Sequence, residues 1–339
     1  MWGVMADFAL VVFSEEKAKT TSVIDGIINF FKKMPCLFKK HDLDLYTKKV
    51  ELYQGLNAYI VKLPYSVEEF RELRPDRLKR IISETGVKIG TDNCILPCFI
   101  TQSHGSKEAV GNSYDGGLLY KSLLLNILEE VYSKSRLELS DLEIAVAQGE
   151  GNAELFAFVR LLSSRVKYIT VLVNDRSSVE GEVNRIFADL GLSIGLTADY
   201  RNGLKNTDIV VNLGGIAQFS KGAAVNTKAL VVNYCQSENL KAFSGNIVVN
   251  GVQVGLPGII RQKIDNYVFE YFNIMEISEI VLLNKLGFKE SIVKHIDVEL
   301  MEMVSREFKR DGFEITGFKG RHSILDPEQI EISVSKKRQ

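Results

Sequence analysis

The stretch from Leu142 to Gly215 constrains this chain more than any other, because it alternates short apolar runs with segments of helical periodicity. Residues 144–147, 168–173, 193–196 and 207–213 have the length and composition of strands buried on both faces. At the first junction, LEIAVAQGEGNAELFAFVRLL, a strand passes through a glycine-containing turn (148–152) into a helix bearing Leu155, Phe156, Phe158, Val159, Leu161 and Leu162. Alternation of this kind folds into a parallel sheet covered by helices. Residues 229–233 continue the series, and 247–252 read as an edge strand before GLPG.

The expected fold class is therefore α/β, a Rossmann-type doubly wound parallel sheet with a second α/β domain. With 339 residues the chain is too long for one ordinary core. Residues 1–117 are expected to form an N-terminal α/β domain and 118–137 a bridging helix. Residues 138–258 are expected to form the nucleotide-binding domain, 259–330 to supply two helices (259–283 and 296–311) and a strand (313–318) returning to the first domain, and 331–339 to be a tail. In such a fold a dinucleotide lays its diphosphate on the turn after the first strand, where helix N–H groups are unpaired. Gly149, Gly151 and Asn152 occupy that turn, but the third glycine position is Glu154, and Glu150 adds a second acid. A carboxylate about 5 Å from a phosphate costs on the order of 3 kcal/mol at an effective dielectric near 20. The second strand ends at Asp175 and Arg176, so ribose hydroxyls of NADH and the extra phosphate of NADPH both have a candidate partner. Gly214 and Gly215 close the fourth strand and complete the cofactor-binding candidates.

A formal net charge of −1 provides no global attraction to nucleic acid. Basic character is local: Lys32, Lys33, Lys39 and Lys40 flank apolar residues after the first helix, a pattern suited to an acidic carrier, a membrane surface or plain solvation. Four scattered cysteines and a start without a basic leader read as a reduced, cytoplasmic protein; Cys94 and Cys98 are spaced like half of a metal site, but no second pair of Cys or His lies at ligand spacing, so they read as two thiols around a buried strand. Ser66 and Glu69 have capping-box spacing ahead of a helix through Glu84 that is broken or kinked at Pro75; Gly86 ends it, and 87–90 and 94–101 read as buried strands. A polar loop, QSHGSKEAVGNSYDGG, then precedes a long helix. Polar loops hung between a strand and a helix are frequent sites of chemistry. His104, Tyr114, Asp115 and Lys121 are the candidate acids and bases there, with Asn112 and Ser113 as substrate-binding candidates. His41, His295 and His322 read as surface or capping residues.

The order of these features resembles the long-chain acyl-(acyl carrier protein) reductases. The resemblance is carried by MWGV at the start, VGNSYDGGLL (110–119), LEIAVAQGEGNAELFAFVRLL with YITVLVNDR, TDIVVNLGG (207–215), LVVNYCQSENL (230–240), IVVNGVQV (247–254) and RDGFEITGF (310–318). It implies an enzyme that takes an acyl group from its carrier onto a cysteine and reduces the thioester with NADPH. The chain departs from that pattern at two points. Of the family's spaced glycines, positions Gln148, Gly151 and Glu154 keep only the middle one, and the stretch 267–283, where the family's cysteine belongs, contains none. A weaker similarity, to shikimate dehydrogenases, rests on SYDG (113–116) in place of N-T-D-G. It makes Asp115 a ligand of a substrate hydroxyl, with the paired lysine missing near LPCF (96–99) and Lys107 or Lys121 left to replace it.

These readings converge on a divergent NAD(P)H-dependent oxidoreductase acting on a carbonyl or thioester, small or carrier-bound, without a cysteine nucleophile. NADPH is the expected cofactor, with NADH open. The rival is a non-catalytic binding protein that keeps the fold without turnover and needs no cofactor.

Overall fold

A computed structural model describes residues 7–14, 45–103, 112–133, 137–214, 225–235, 243–288, 296–325 and 330. The chain divides into two compact units: Met1–Asp115 with Gly258–Ile292, and Gly116–Pro257 with Val293–Gln339. His41, His104, Lys107, Gly215, His295, the basic cluster Lys32, Lys33, Lys39 and Lys40, and the helix expected after Phe13 lie outside the described residues.

Unit 1 is built on a four-stranded mixed sheet of order β2-β3-β1-β4, in which β1 (Phe8–Phe13) lies parallel to β3 (Leu56–Leu63) and β4 (Cys94–Ile95). All six residues of β1 are buried, as a central strand covered on both faces requires. β2 (Tyr46–Tyr53) pairs antiparallel with β3 through a turn whose Gly55 adopts φ 84°, the left-handed conformation that glycine reaches without strain. The capping box forms: Ser66 Oγ accepts from the Glu69 N–H and Glu69 returns a bond to the Ser66 N–H.

Three expectations for unit 1 are corrected. Residues 87–90 are not a strand but the last turn of the helix Pro75–Ile89, which ends at Gly90 rather than Gly86. Gly90 takes φ 76° and donates its N–H to the Gly86 carbonyl, while Val87 is 80 % exposed and Ile89 alone of that run packs against the core, as one face of a helix does. Only Cys94–Ile95 of the segment 94–101 is strand: Pro97 brings no N–H to a ladder, and Cys98–Ser103 is helical. Residues 259–283 are not one helix but Gly258–Lys263, a 3-10 turn Asn266–Glu270, and Ile274–Lys285, the last started by an Asn273–Glu276 capping box.

Unit 2 carries six parallel strands in the order β10-β9-β8-β5-β6-β7, formed by Ile247–Val249, Leu230–Asn233, Ile209–Asn212, Glu143–Ala147, Tyr168–Leu172 and Ile194–Thr197. The chain works outward from β5 in one direction through β6 and β7, then returns beside β5 at β8 and works outward the other way. This is the Rossmann-type order, and the β5–β8 boundary is its topological switch point. β8 and β9 are buried at every position, whereas edge strand β7 is not, which follows from its having one neighbour.

The expected bridging helix belongs to unit 2 and is two helices, Gly117–Ser122 and Leu124–Tyr132, broken at Leu123. The expected edge strand 247–252 splits at Asn250: Ile247–Val249 ends the parallel sheet, and β11 (Gly251–Gly255) enters a separate antiparallel sheet with β12 (Glu314–Lys319) and β13 (Ile324–Leu325). The strand near 313–318 thus closes on unit 2 and does not return to unit 1, with fully buried Phe318 opposite Val252. The helix Val298–Arg310, capped by Asp297 on the Leu300 N–H, packs its Leu300, Met301, Val304 and Phe308 face into the same unit.

Candidate functional site

In open parallel sheets ligands bind beyond the carboxyl ends of the strands, at the switch point. In unit 2 that edge is lined with amides. Asn212, the last residue of β8, donates through Nδ2 to Asn233 Oδ1 at 2.7 Å, and Asn233 donates to Asn250 Oδ1 at 3.0 Å and to the Cys235 carbonyl at 2.9 Å. Asn250 donates in turn to the Gly320 carbonyl at 3.2 Å. Asn212 is wholly buried, and its Oδ1 has no hydrogen-bond partner among the described residues.

The turn after β5 shows what each glycine does. A Cβ on Gly149 would stand 2.6 Å from the Leu213 carbonyl oxygen, and one on Gly214 would stand 2.8 Å from Gly149 Cα. These two glycines therefore let the backbones on either side of the switch point touch. Gly151 has nothing within 4 Å of its Cβ position and forms the N-cap of the helix Asn152–Ser163, where no side chain caps the first turn. Gln148 braces the turn by donating to Asn152 Oδ1 at 2.6 Å and accepting the Asn174 N–H at 3.2 Å.

The two acids are placed differently. Glu150 is exposed, whereas Glu154 meets Lys121 Nζ at 2.7 Å with both side chains about one-quarter exposed. The electrostatic objection to a bound anion is thereby reduced, since Glu154 carries its own counter-charge. Lys121, read from the sequence as an acid or base, is held in this pair. Beside it Tyr120 is buried, with its hydroxyl shared between the carbonyls of Val249 (2.9 Å) and Asn233 (3.2 Å) and its ring 4.5 Å from that of Tyr234. Burial pushes both phenols well above their ordinary range. At the end of β6, Asp175 holds the N–H and hydroxyl of Ser177 at 3.0 and 2.8 Å, and Arg176 is exposed. An open cleft of about 280 Å³ lies at the opposite, amino-terminal edge, lined by Glu143, Tyr168, Ser193 and Thr207 among others, away from these groups.

A dinucleotide fits this edge on three observations: an uncapped helix start, a glycine with free space at it, and an acid already neutralised by a lysine.

The loop candidates Asn112, Ser113, Tyr114 and Asp115 lie in unit 1, within a polar cluster that sequence reasoning saw only in part. Asn112 extends β4 as a parallel bridge to Ile95 and donates to Asn93 Oδ1 at 2.8 Å; Asn93 donates to Asn284 Oδ1 at 2.6 Å. Ser113 is buried with its Oγ 2.9 Å from the Thr101 hydroxyl, Tyr114 is buried, and Asp115 is exposed. Gln102 donates to Cys98 Sγ at 2.8 Å.

The residue missed from sequence is Glu276. It is 4 % exposed, accepts the Asn273 N–H at 2.7 Å, and also accepts the backbone N–H of Cys98. Burial pushes its carboxyl up to about 7; the two backbone bonds oppose that shift and the charge of Asp115 adds to it. The signal that could have found it is the N-x-x-E capping box at 273–276 running directly into Ile277, Ile280 and Val281, an acid committed to an apolar helix start. Cys94, also buried, has its thiol pushed up to about 11 by burial and by Asp92, which makes it a poor nucleophile. Among the described residues no group of His, Cys, Asp and Glu is arranged to hold a metal, and no helix is long and apolar enough to cross a membrane.

No protein-family model and no curated protein matches this sequence. Among solved structures, the chain is similar to L-tryptophan dehydrogenase from Nostoc punctiforme, at 11 % identity over 99 % of this chain and 88 % of that one, with a TM-score of 0.33. It is similar to shikimate dehydrogenase from Aquifex aeolicus at 10 % identity, over 90 % of this chain and 100 % of that one, with a TM-score of 0.33. A dipicolinate synthase chain from Bacillus halodurans matches at 11 % identity, over 85 % and 100 %, with a TM-score of 0.36. The Rossmann-type assignment of unit 2 rests on its own strand order and register.

Proposed function

We propose that this chain is an NAD(P)-dependent oxidoreductase, with its cofactor across the carboxyl edge of the six-stranded sheet. The observation that carries this reading is the switch point, where the uncapped helix start at Gly151 adjoins open space. When bound, the cofactor supplies the hydride chemistry. The backbone N–H groups of residues 152–154 would hold its diphosphate, Asp175 the ribose hydroxyls, and Arg176 the additional phosphate of NADPH. Gly214 keeps the facing backbone free of a side chain, and Lys121 offsets the charge of Glu154.

The substrate in this reading is a carbonyl compound or thioester reduced without a covalent thiol intermediate. Residues 267–283 contain no cysteine, and Cys94 is a buried, weakly acidic thiol. Asn112, Ser113, Tyr114 and Asp115 belong to the substrate side, with Asp115 as their solvent-facing carboxylate. An acyl carrier or membrane surface at Lys32, Lys33, Lys39 and Lys40 would extend this reading to a carrier-bound substrate.

Isothermal calorimetry with NADPH and NADH tests the proposal. Micromolar binding of one of them, weakened at least fivefold by Gly151→Val, is the expected result, and Arg176→Ala should weaken NADPH more than NADH. If neither cofactor binds at millimolar concentration, the chain is a binding protein of another kind and the oxidoreductase reading fails.

A further inference from the structure

The amino edge of the six-stranded sheet in unit 2 carries a cleft of about 280 Å³ that cofactor binding at the opposite edge leaves unused. It exists because one crossover is short. The connection from β7 to β8 holds only the four-residue helix Tyr200–Gly203, about 6 Å long, against five-residue strands β5 and β6 that run about 16 Å. That helix covers the carboxyl half of one sheet face, where Ala145, Ala147, Leu172 and Val210 share a buried cluster with Tyr200 and Leu204. The amino half of the same face stays open. There Glu143 and Tyr168 are register partners on β5 and β6, Thr170 is the partner of Gly195 on β7, and Tyr168 is 59 % exposed. Thr207 closes the inner wall, its hydroxyl donating to the Gly203 carbonyl at 2.9 Å, and Ser193 stands on the edge-strand side. A polar strand end alone would not call for glycine on an edge strand, where a β-branched residue packs better. A Cβ at Gly195 would stand 3.2 Å from Thr170 Oγ1, so its absence opens the floor of the cleft beside that hydroxyl.

The lining decides the class of ligand. It offers one carboxylate, one exposed aromatic ring and several hydroxyl oxygens, and no lysine or arginine lines it among the described residues. Lys167, next to Tyr168, is turned to Asp141 at 3.4 Å. An anion finds no counter-charge here, whereas a protonated amine finds one. Paired strands hold the backbones of Glu143 and Tyr168 about 5 Å apart, so a cation resting on the ring lies against the carboxylate. Its remaining N–H donors then meet hydroxyl oxygens. We propose that this cleft is a second ligand site of unit 2, binding the protonated amine end of a small organic cation between Tyr168 and Glu143, with Thr170 and Ser193 as hydroxyl acceptors. The site stands on its own geometry, at the edge of the sheet opposite the switch point, and does not depend on the oxidoreductase reading.

Amide NMR spectra of the full nitrogen-15-labelled chain, titrated with n-butylammonium chloride, test this directly, with glucose and sodium acetate as comparison probes. Butylammonium should cause saturable shifts at the amides of Tyr168, Thr170 and Gly195, with a Kd of about 1–10 mM, the range open to one cation on a ring beside one carboxylate. Glu143→Gln and Tyr168→Ala should each weaken it about fivefold, while Tyr168→Phe, which keeps the ring, should hold it within about twofold. Gly195→Val fills the floor and should abolish the shifts, and added salt should lower the affinity. Glu143 and Tyr168 are exposed and Gly195 lies on an edge strand, so these variants should fold; the dispersion of the remaining amide signals checks it. Three results overturn the proposal: no saturable shift by about 50 mM butylammonium, an affinity indifferent to Glu143→Gln, or glucose or acetate binding at these amides as tightly as the amine. The first means a solvated strand end, the second a site without charge recognition, and the third a site for a polyol or an anion.

Discussion

The two units handle buried amides in opposite ways. In unit 1 the chain Asn112–Asn93–Asn284 is satisfied at every buried atom: Asn93 uses its oxygen for Asn112 and its nitrogen for Asn284, and Asn284 spends its own nitrogen on the Ile280 carbonyl. In unit 2 the chain Asn212–Asn233–Asn250 ends in a buried oxygen with no partner among the described residues. A closed network fixes its segments against each other, while an open one leaves hydrogen-bonding capacity on the edge where ligands of this fold bind. Unit 1 thus spends its buried amides on internal geometry, and unit 2 leaves one buried acceptor open at its carboxyl edge.

That contrast can be broken first at the asparagines. Asn93→Ala leaves a donor on Asn112 and an acceptor on Asn284 unpaired in a buried setting and should cost about 4 kcal/mol in urea denaturation. Asn212→Ala removes an oxygen that had no partner among the described residues and leaves one acceptor, Asn233 Oδ1, unpaired, and should cost only about 2 kcal/mol. Equal losses would mean the open chain is as structural as the closed one. The pH dependence of stability comes next. Because the folded-state pKa of Glu276 is raised from 4.5 to about 7, the native state binds more protons than the unfolded state between those values, and stability falls as pH rises through that window. The group contributes roughly 3 kcal/mol that is fully present below pH 4.5 and absent above about pH 7. Glu276→Gln should flatten this slope.

Smaller effects sharpen the picture of unit 2. Gly149→Ala forces a Cβ against the Leu213 carbonyl and should cost about 2 kcal/mol, while Gly151→Ala should change stability by no more than about 0.5 kcal/mol and act on cofactor affinity instead. Lys121→Ala releases Glu154 beside the diphosphate position and should weaken NAD(P)H binding about three- to tenfold in calorimetry at low salt. An unchanged affinity would place the Glu154 carboxylate too far from the ligand to matter.

The same contrast explains what could be read from sequence. Five of the six parallel strands of unit 2 were legible within a residue or two, all but Ile247–Val249, because strands buried on both faces are continuous apolar runs such as Ile209–Asn212 and Leu230–Asn233. Strand β12 was legible as a strand but not in its pairing, since nothing in Glu314–Lys319 names Gly251–Gly255 as its neighbour. In unit 1 the apolar spacing of 87–90 and 94–101 suited strand and helix alike, and Gly90 and Pro97 decided it through backbone conformation. Asn112 to Asp115 stood out as a polar loop. Glu276 did not, because burial of an acid is a property of packing, and its neighbours Cys98 and Asp115 come from distant segments. The pairing of Glu154 with Lys121 was hidden for the same reason.

The contact between Gly149 and Gly214 bears on how freely this edge can vary. The two backbones lean on each other, so the shape of the turn is set without help from anything bound in it. Positions 150, 151 and 154 are relieved of that duty and can change charge or bulk at little cost to folding, whereas 149 and 214 are tied to each other as a pair. A chain built this way can exchange one bound anion for another, or do without one, and still fold to the same sheet.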